Sequence, residues 1–364
     1  MKKIRNGIAI MLTVLLMFLL CSCAGNTDRA KNGVKITATD AKTEQTEEYN
    51  DAVFSMTIPK GWKVTCGGSD IYHSIRVSDP DEPLNCMFVL LKADCLLHSQ
   101  EGKDAWKAVY NEGNRDAVIF ANAPVLEKPS TESFFKIFAQ YADMASKFEA
   151  AYVGYSFPHY DNFTVTDRFS GSGDMVKYSL GDEFLRATFT DNGRAGEGMF
   201  SASVVDFKES LYSDRTVADY GLESVDSGYY MAYNIVAITA AKDTFIEWED
   251  LLTECLKTLK YSDIFENDIR GAIERDFFQA RCINQNFNQT MDGIMSSWDS
   301  RNKSIDIISQ KQSDATLGYE RVYDTRTKEI YRAAKGFTSS YKGYKPVTDD
   351  NMYTTPISGY IEKD

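Results

Sequence analysis

Six consecutive apolar residues, Cys86-Met87-Phe88-Val89-Leu90-Leu91, constrain this chain more than any other stretch. A strand that does not alternate carries apolar side chains on both faces, so it needs cover on both sides. Asp79-Pro80-Asp81-Glu82-Pro83 precedes the run and ends whatever comes before it. The fold must therefore contain a sheet with other elements packed on it.

The neighbouring pattern says what kind of sheet. Residues 53–58 alternate, with Phe54, Met56 and Ile58 on one face and Val53, Ser55 and Thr57 on the other, as in a half-buried strand. Pro59-Lys60-Gly61 turns the chain into a strand at 62–65, and Gly67-Gly68 turns it again. Ile71, His73, Ile75 and Val77 then share a face. Four strands joined by short turns predict an antiparallel meander. Helices are expected at about 104–112 and 130–147, the second capped by Ser130 and striped by Phe134, Phe135, Phe138, Tyr141 and Met144. Strands return at about 163–166, 175–178, 183–190, 198–207 and 227–239, with a turn at Asp191-Asn192-Gly193. Asp243 or Thr244 then caps a helix running to about Leu259.

From 265 to 301, Ile269, Ile273, Phe277, Phe287, Met291, Ile294 and Trp298 recur at helical steps, predicting a helix of about 35 residues, roughly 50 Å long. Such a stripe packs either on its own domain or on a partner helix. A hairpin follows, with arms at 318–323 and 329–333 joined by Asp324-Thr325-Arg326-Thr327-Lys328. The fold class read from these elements is α+β. An antiparallel sheet with packed helices spans 51–262, and a long helix with a small β-hairpin extension spans 263–364.

Three stretches carry family resemblances. Residues 20–23, Leu20-Cys21-Ser22-Cys23, follow a basic start (Lys2, Lys3, Arg5) and an apolar segment at 8–20. The segment is short for a membrane span but fits a signal peptide. It resembles the bacterial lipoprotein lipobox, in which a small residue precedes a cysteine that is diacylated and becomes the first residue. The resemblance implies a leader at 1–22 and lipidation of Cys23. Phe54-Ser55-Met56-Thr57-Ile58-Pro59-Lys60-Gly61-Trp62, the strand leading to Asp79-Pro80 and the closing strand-then-helix resemble the PsbP-like α+β domain. That family implies an antiparallel sheet with helices on it and a binding or assembly role. Trp298 to Asp324 resembles a C-terminal helix-and-hairpin segment of uncharacterised bacterial envelope proteins, many of them Firmicute lipoproteins. There glycine more often stands where Lys328 does.

Removing 1–22 takes three cations and no acid, so the net charge of −13 becomes −16 over 342 residues. Such acidity excludes a nucleic-acid partner and repels an anionic bilayer, so attachment to the membrane must come from lipid on Cys23. Residues 23–50, polar and poor in large apolar groups, read as a flexible tether of roughly 30 Å reach. Cys66, Cys86, Cys95, Cys255 and Cys282 remain, an odd number without a zinc or CxxC spacing. They are buried free thiols, or one pair such as Cys66 with Cys86 is oxidised.

No catalytic set emerges, and no metal or cofactor is implied. His73 sits on an apolar face as a core histidine would, and neither His98 nor His159 falls in a ligand spacing. Gly171-Ser172-Gly173 lacks the frame of a nucleophile elbow. Residues 194–198 read as a hairpin loop and no phosphate cradle. The Asp182/Glu183 pair is unremarkable in a chain with 53 acids. Residues 319–364 hold a third of the tyrosines and carry +1, against −17 for 23–318. Tyr319, Arg321 and Tyr323 share a face there and, with Tyr331, form the candidate interaction surface; the alternative is that these rings glue the hairpin to the long helix. The functional expectation is a lipid-anchored, extracytoplasmic binding or assembly module at the cell membrane with an envelope or cell-wall partner. The alternative is an envelope hydrolase using carboxylates that the sequence does not single out.

Overall fold

The computed structural model describes residues 34–38, 44–169, 180–181, 184–206, 225–242, 244–274, 314–315, 317–348, 352 and 357–363. The chain divides into two compact units, Asp40–Gly318 with Thr348–Pro356, and Met1–Thr39 with Tyr319–Val347 and Ile357–Asp364. Both units combine helices or helical turns with largely antiparallel sheet, an α+β fold.

In chain order, β1 (Val34–Ala38) belongs to the smaller unit. The larger unit begins with β2 (Thr46–Asn50), β3 (Phe54–Pro59), β4 (Lys63–Gly67), β5 (Ser74–Ser78) and β6 (Cys86–Leu97). Three helices follow, α1 (Gln100–Asn111), α2 (Val118–Asn122) and α3 (Thr131–Phe148). Next come β7 (Asp161–Phe169), β8 (Phe184–Asp191), β9 (Arg194–Asp206) and β10 (Tyr229–Ala241), then α4 (Phe245–Lys257), β11 (Lys260–Tyr261) and α5 (Asp263–Glu274). A seven-stranded antiparallel sheet has the order β4-β5-β6-β10-β9-β8-β7, so the apolar run lies in β6 near its centre.

Cover comes from both sides, as the run requires. Phe88 and Leu90 of β6 join Phe200, Ile235 and the α3 residues Phe134, Phe135, Phe138 and Tyr141 in one core. Met87, Val89 and Leu91 join Val236 and Ile238, the α4 residues Phe245, Trp248, Leu252 and Leu256, and Phe54, Met56 and Ile58 of β3 in another. Helix α3 starts where its cap demands, with the Ser130 hydroxyl accepting from the Ser133 amide at 3.0 Å. On the α4 side a buried strut crosses the strands: Arg186 Nε donates to Glu197 Oε1 at 2.6 Å, and its guanidinium lies 5.3 Å from the Phe245 ring.

Several expectations are corrected. β3 leaves the meander and pairs with β2 and β11 in a separate three-stranded sheet. Pro59-Lys60-Gly61 does reverse the chain, with Gly61 left-handed at φ +85° and the Trp62 amide bonding Pro59 O at 3.1 Å. A turn sets direction but not which sheet receives the next strand, and β3 is claimed by α4: its Thr57 amide donates to Thr258 Oγ1 at 2.7 Å. Residues 34–38 and 46–50, read as tether, are strands. Composition counts side chains, whereas an edge strand is held by backbone bonds and tolerates exposed polar groups. Residues 194–198 belong to β9 rather than to a loop, and Asn192-Gly193 alone make the turn, both left-handed. Gly198 is required by a close approach, since a Cβ there would lie 2.4 Å from Ile238 O. Thr244 precedes α4 but its hydroxyl bonds Ala241 O instead of capping.

In the smaller unit, β12 (Tyr319–Asp324), β13 (Ile330–Ala334), β14 (Tyr344–Pro346) and β15 (Ile357–Lys363) join β1 in the order β1-β15-β13-β12-β14. The expected hairpin is therefore part of a five-stranded sheet, and its boundary falls at Tyr319 rather than at 263. Val322, Tyr331, Ala333, Phe337 and Ile361 form its core. The leader, Cys23, most of the long helix (275–301), Cys282, Asp182/Glu183, residues 171–173 and the strand at 175–178 lie outside the described residues. Among the described residues, no helix is long and apolar enough to cross a membrane.

Phe88→Ala removes a ring with no exposed surface from a doubly covered strand. It is expected to destabilise the protein by about 3–5 kcal/mol. Val153→Ala, at a side chain 81% exposed, should stay within about 0.5 kcal/mol. Urea unfolding of the two variants checks both.

Candidate functional site

Three polar clusters in the larger unit and one end of the C-terminal sheet concentrate the chemistry of this chain.

The first cluster surrounds His73, which is buried against Phe54, Tyr261 and Phe265, with Nδ1 3.4 Å from the Tyr261 hydroxyl. Cys66 and Asp51 lie in electrostatic reach of the same group of side chains, so a cysteine, a histidine and an aspartate converge. They do not make a nucleophile. Burial pushes the Cys66 thiol up to about 11, helped by Asp51, and pushes the imidazole down to about 4. A thiolate–imidazolium pair needs both shifts in the opposite sense. His73 is a core histidine. Cys66, Cys86, Cys95 and Cys255 are free thiols, so Cys66 is not bonded to Cys86.

The second cluster centres on Lys92, 2% exposed although charged. Its Nζ lies 3.0 Å from Asp94 Oδ2 and donates to the Tyr72 hydroxyl at 3.4 Å, and Tyr72 donates to the same carboxylate at 2.6 Å. The ammonium also sits over the rings of Tyr72 and Tyr233, at 5.1 and 5.8 Å. A bulge makes this arrangement: between the pairs Ala93–Ala232 and Leu96–Tyr230, Asp94 and Cys95 of β6 face Met231 alone, and Cys95 is left-handed at φ +61°. Glu149, which ends α3, approaches the group. Its burial, reinforced by the Asp94 charge and opposed by Lys92, pushes its carboxyl up to about 7. A helix C-terminus favours cations over carboxylates, in the same sense. Sequence reasoning passed over Lys92 and Asp94, although a Lys-x-Asp inside the otherwise apolar 86–97 was a legible signal.

In the third cluster both nitrogens of His98 meet carboxylates, Nδ1 with Asp226 at 3.0 Å and Nε2 with Asp206 at 3.2 Å. Its ring packs on Tyr230 at 4.2 Å. Acids on opposite edges of an imidazole cannot share one metal ion with it, so the group ties the end of β6 to the ends of β9 and β10. Among the described residues, no three or more His, Cys, Asp or Glu are placed to hold a metal ion.

The C-terminal sheet divides the four residues of the candidate surface between two faces. Tyr319, Arg321 and Tyr323 alternate along β12 as expected, but Tyr331 stands opposite Val322 and turns into the core with Phe337. Arg321 and Tyr331 are only 7% and 6% exposed, which corrects the expectation that both lie on an open surface. Side chains stand off the plane of the sheet, so what lies over each face decides their burial, and Tyr331 is covered in the core with Val322 and Phe337. Arg332, directly opposite Arg321, lies over the rings of Tyr319 and Tyr360, at 5.5 and 5.9 Å. The open part is the end of the sheet: Tyr323 and Tyr344 are half-buried, while Arg326, Lys328, Lys342 and Lys345 are exposed. The pairing of β14 with β12 was invisible to sequence reasoning, so Lys345 was not placed beside Tyr323, nor Tyr344 beside Asp324.

No protein-family model and no curated protein matches this chain.

Glu149 and His73 give opposite pH signatures. The folded state holds the Glu149 proton more tightly than an ordinary carboxyl of 4.5, so its contribution is full below pH 4.5 and is lost as pH rises to about 7. His73 refuses a proton that the unfolded chain accepts near 6.5, so stability is lost as pH falls from there toward 4. Glu149→Gln is expected to flatten the decline between pH 5 and 7 and to raise stability at pH 8 by on the order of 2 kcal/mol, discounted for the partial exposure of the group. Denaturant titrations across pH 4–8 measure it, and a slope between pH 5 and 7 unchanged from the wild type would contradict the assignment.

Proposed function

We propose that this chain is a lipid-anchored extracytoplasmic protein of the bacterial cell envelope, held by diacylglycerol on Cys23 and acting as a binding or assembly module. The observation that carries the binding role is the open end of the C-terminal sheet, where half-buried tyrosines stand among exposed cations in a separate compact unit. Tyrosine bodies with polar tips and flexible cations are the composition of recognition surfaces. The anchor rests on Ser22-Cys23 after an apolar leader, and on an acidity that disfavours adsorption to an anionic bilayer.

An envelope-acting hydrolase is favoured by one observation. Glu149, pushed up to about 7 beside Asp94 and Lys92, has the proton affinity that a general acid requires. The two readings separate in one experiment. On the binding reading, crosslinking in intact cells captures the same partner with Glu149→Gln as with the wild type; capture lost by a Glu149→Gln protein that still folds would move the function to that cluster.

Cys23→Ala is expected to shift the protein from the membrane fraction to the soluble extracytoplasmic fraction. A variant retained fully in the membrane fraction would remove the anchor from this reading.

A further inference from the structure

A guanidinium without a counter-ion lies toward the β4 end of the large sheet. Arg76 of β5 pairs across from Thr65 of β4 and from Phe88 of β6, on the face that α3 covers. The positions of β4, β5 and β6 on that face, from Cys86 to Leu90 in β6, carry Lys63 and Arg76 and no acid, in a chain with 53 acids. Arg168, Arg186, Arg194 and Arg326 are each ion-paired with a carboxylate, whereas Arg76 has no such partner among the described residues. Its Nη1 donates to Ser156 O at 3.2 Å, while its Nε is buried and bonds to nothing. The segment carrying that carbonyl is pinned to the sheet. Ala151 O accepts from the Gly68 amide at 2.9 Å, the Tyr155 hydroxyl lies 2.8 Å from Ser74 Oγ, and a Cβ on Gly67 would fall 2.4 Å from the Tyr155 ring.

The side chains around the guanidinium do not supply the missing charge. Cys86, Tyr160 and Tyr155 are the ionisable groups beside it. Burial raises the proton affinity of all three, so each is neutral at pH 7. Asp191 reaches Cys86 and Tyr160 but forms no ion pair with Arg76, and its carboxylate accepts from Asn192 Nδ2 at 2.8 Å. Tyr160 adds a second donor without an acceptor: the residue is 2% exposed, and its hydroxyl makes no hydrogen bond with the described residues. A cation partly withdrawn from water is costly unless an anion and hydrogen bonds accompany it. Here the chain provides a single carbonyl.

We propose that Arg76 and Tyr160 bind the carboxylate of a small ligand, one oxygen accepting from the guanidinium and the other from the phenol. The site belongs to the larger unit and goes beyond the binding-module reading without resting on it. With Nη1 on Ser156 and Nε buried, Nη2 is the donor left for the ligand, and a carboxylate has two oxygens to divide between Nη2 and the Tyr160 hydroxyl. Charge selects the same group. One desolvated cation balances one negative charge. Lys63, exposed on the same face, keeps its own charge in water. A phosphate dianion would bring a second charge that no buried cation meets, beside an Asp191 that already reaches Tyr160.

The test titrates sodium acetate into the detergent-solubilised full chain at pH 7, labelled with ¹⁵N at arginine, with sodium chloride at equal ionic strength as the reference. The Nε–H resonance of Arg76, identified by its loss in Arg76→Lys, should shift saturably with acetate at a Kd on the order of 10 mM and not with chloride. Tyr160→Phe should weaken this binding roughly fivefold, as loss of one neutral donor does. Acetate at about 100 mM should raise the melting temperature of the wild type above its value in chloride, and Arg76→Gln should remove that difference. The proposal is overturned if the Arg76 resonance answers acetate and chloride alike, if Tyr160→Phe binds acetate as tightly as the wild type, if Arg76→Gln keeps the acetate-specific stabilisation, or if inorganic phosphate binds more tightly than acetate. The wild-type and Tyr160→Phe titrations decide it by themselves should Arg76→Gln fail to fold.

Discussion

A strand apolar on both faces cannot exist without two coverings, and most of the larger unit answers to that requirement. Phe88 and Leu90 face one way and Met87 and Val89 the other, so α3 and α4 must lie on opposite sides of β6. β10 carries the same demand beside it, with Ile235 and Ala237 opposed to Val236 and Ile238. The loops joining these elements follow from the need to bring two helices to two faces. The small sheet of β2, β3 and β11 joins α4 in the second covering through Phe54, Met56, Ile58 and Tyr261.

The same constraint makes a charge in β6 expensive, which is why the strand breaks its own regularity there. Lys92 lies where both sides are covered, and a lone buried ammonium would cost several kcal/mol. The bulge at Asp94-Cys95 turns a carboxylate toward it within the same strand, and Tyr72 shares that carboxylate. Glu149, brought near by the end of α3, is then the second acid in a place with one cation, and its proton becomes hard to remove. The left-handed Cys95, the buried ion pair and the raised carboxyl are consequences of a single decision to place Lys92 in a core strand.

Much of this was legible along the chain wherever the determinant is local. Periodicity found α3, its Ser130 cap, the Asn192-Gly193 turn and both arms of the C-terminal hairpin, because those depend on residues a few positions apart. It failed where the determinant is a pairing between distant segments. β3 alternates equally well whether it joins the large sheet or the small one, and its distant partners decide: β2, β11 and the Thr258 contact from the end of α4. β1 and β2 look like tether because their contribution is backbone, which composition does not record. At the candidate surface, Tyr319, Arg321 and Tyr323 were found by alternation. Tyr331 was misplaced because its face depends on the register with Val322, and Lys345 was missed because β14 is only three residues long.

Lys328 shows how little the fold of a turn depends on the side chain at its left-handed position. Most departures from local preference in this molecule are repaid nearby: the Cys95 bulge aims Asp94 at Lys92, and the glycine at 198 admits the Ile238 carbonyl. The turn of the C-terminal hairpin offers no such return for its lysine. Asp324 already supplies the hydrogen bonds that hold it closed, and at Lys328 these involve only the backbone amide, which any residue but proline provides. The ammonium over Tyr323 is solvent-exposed and contributes less than about 1 kcal/mol, roughly what the left-handed backbone costs. Folding is therefore close to indifferent to lysine at this position.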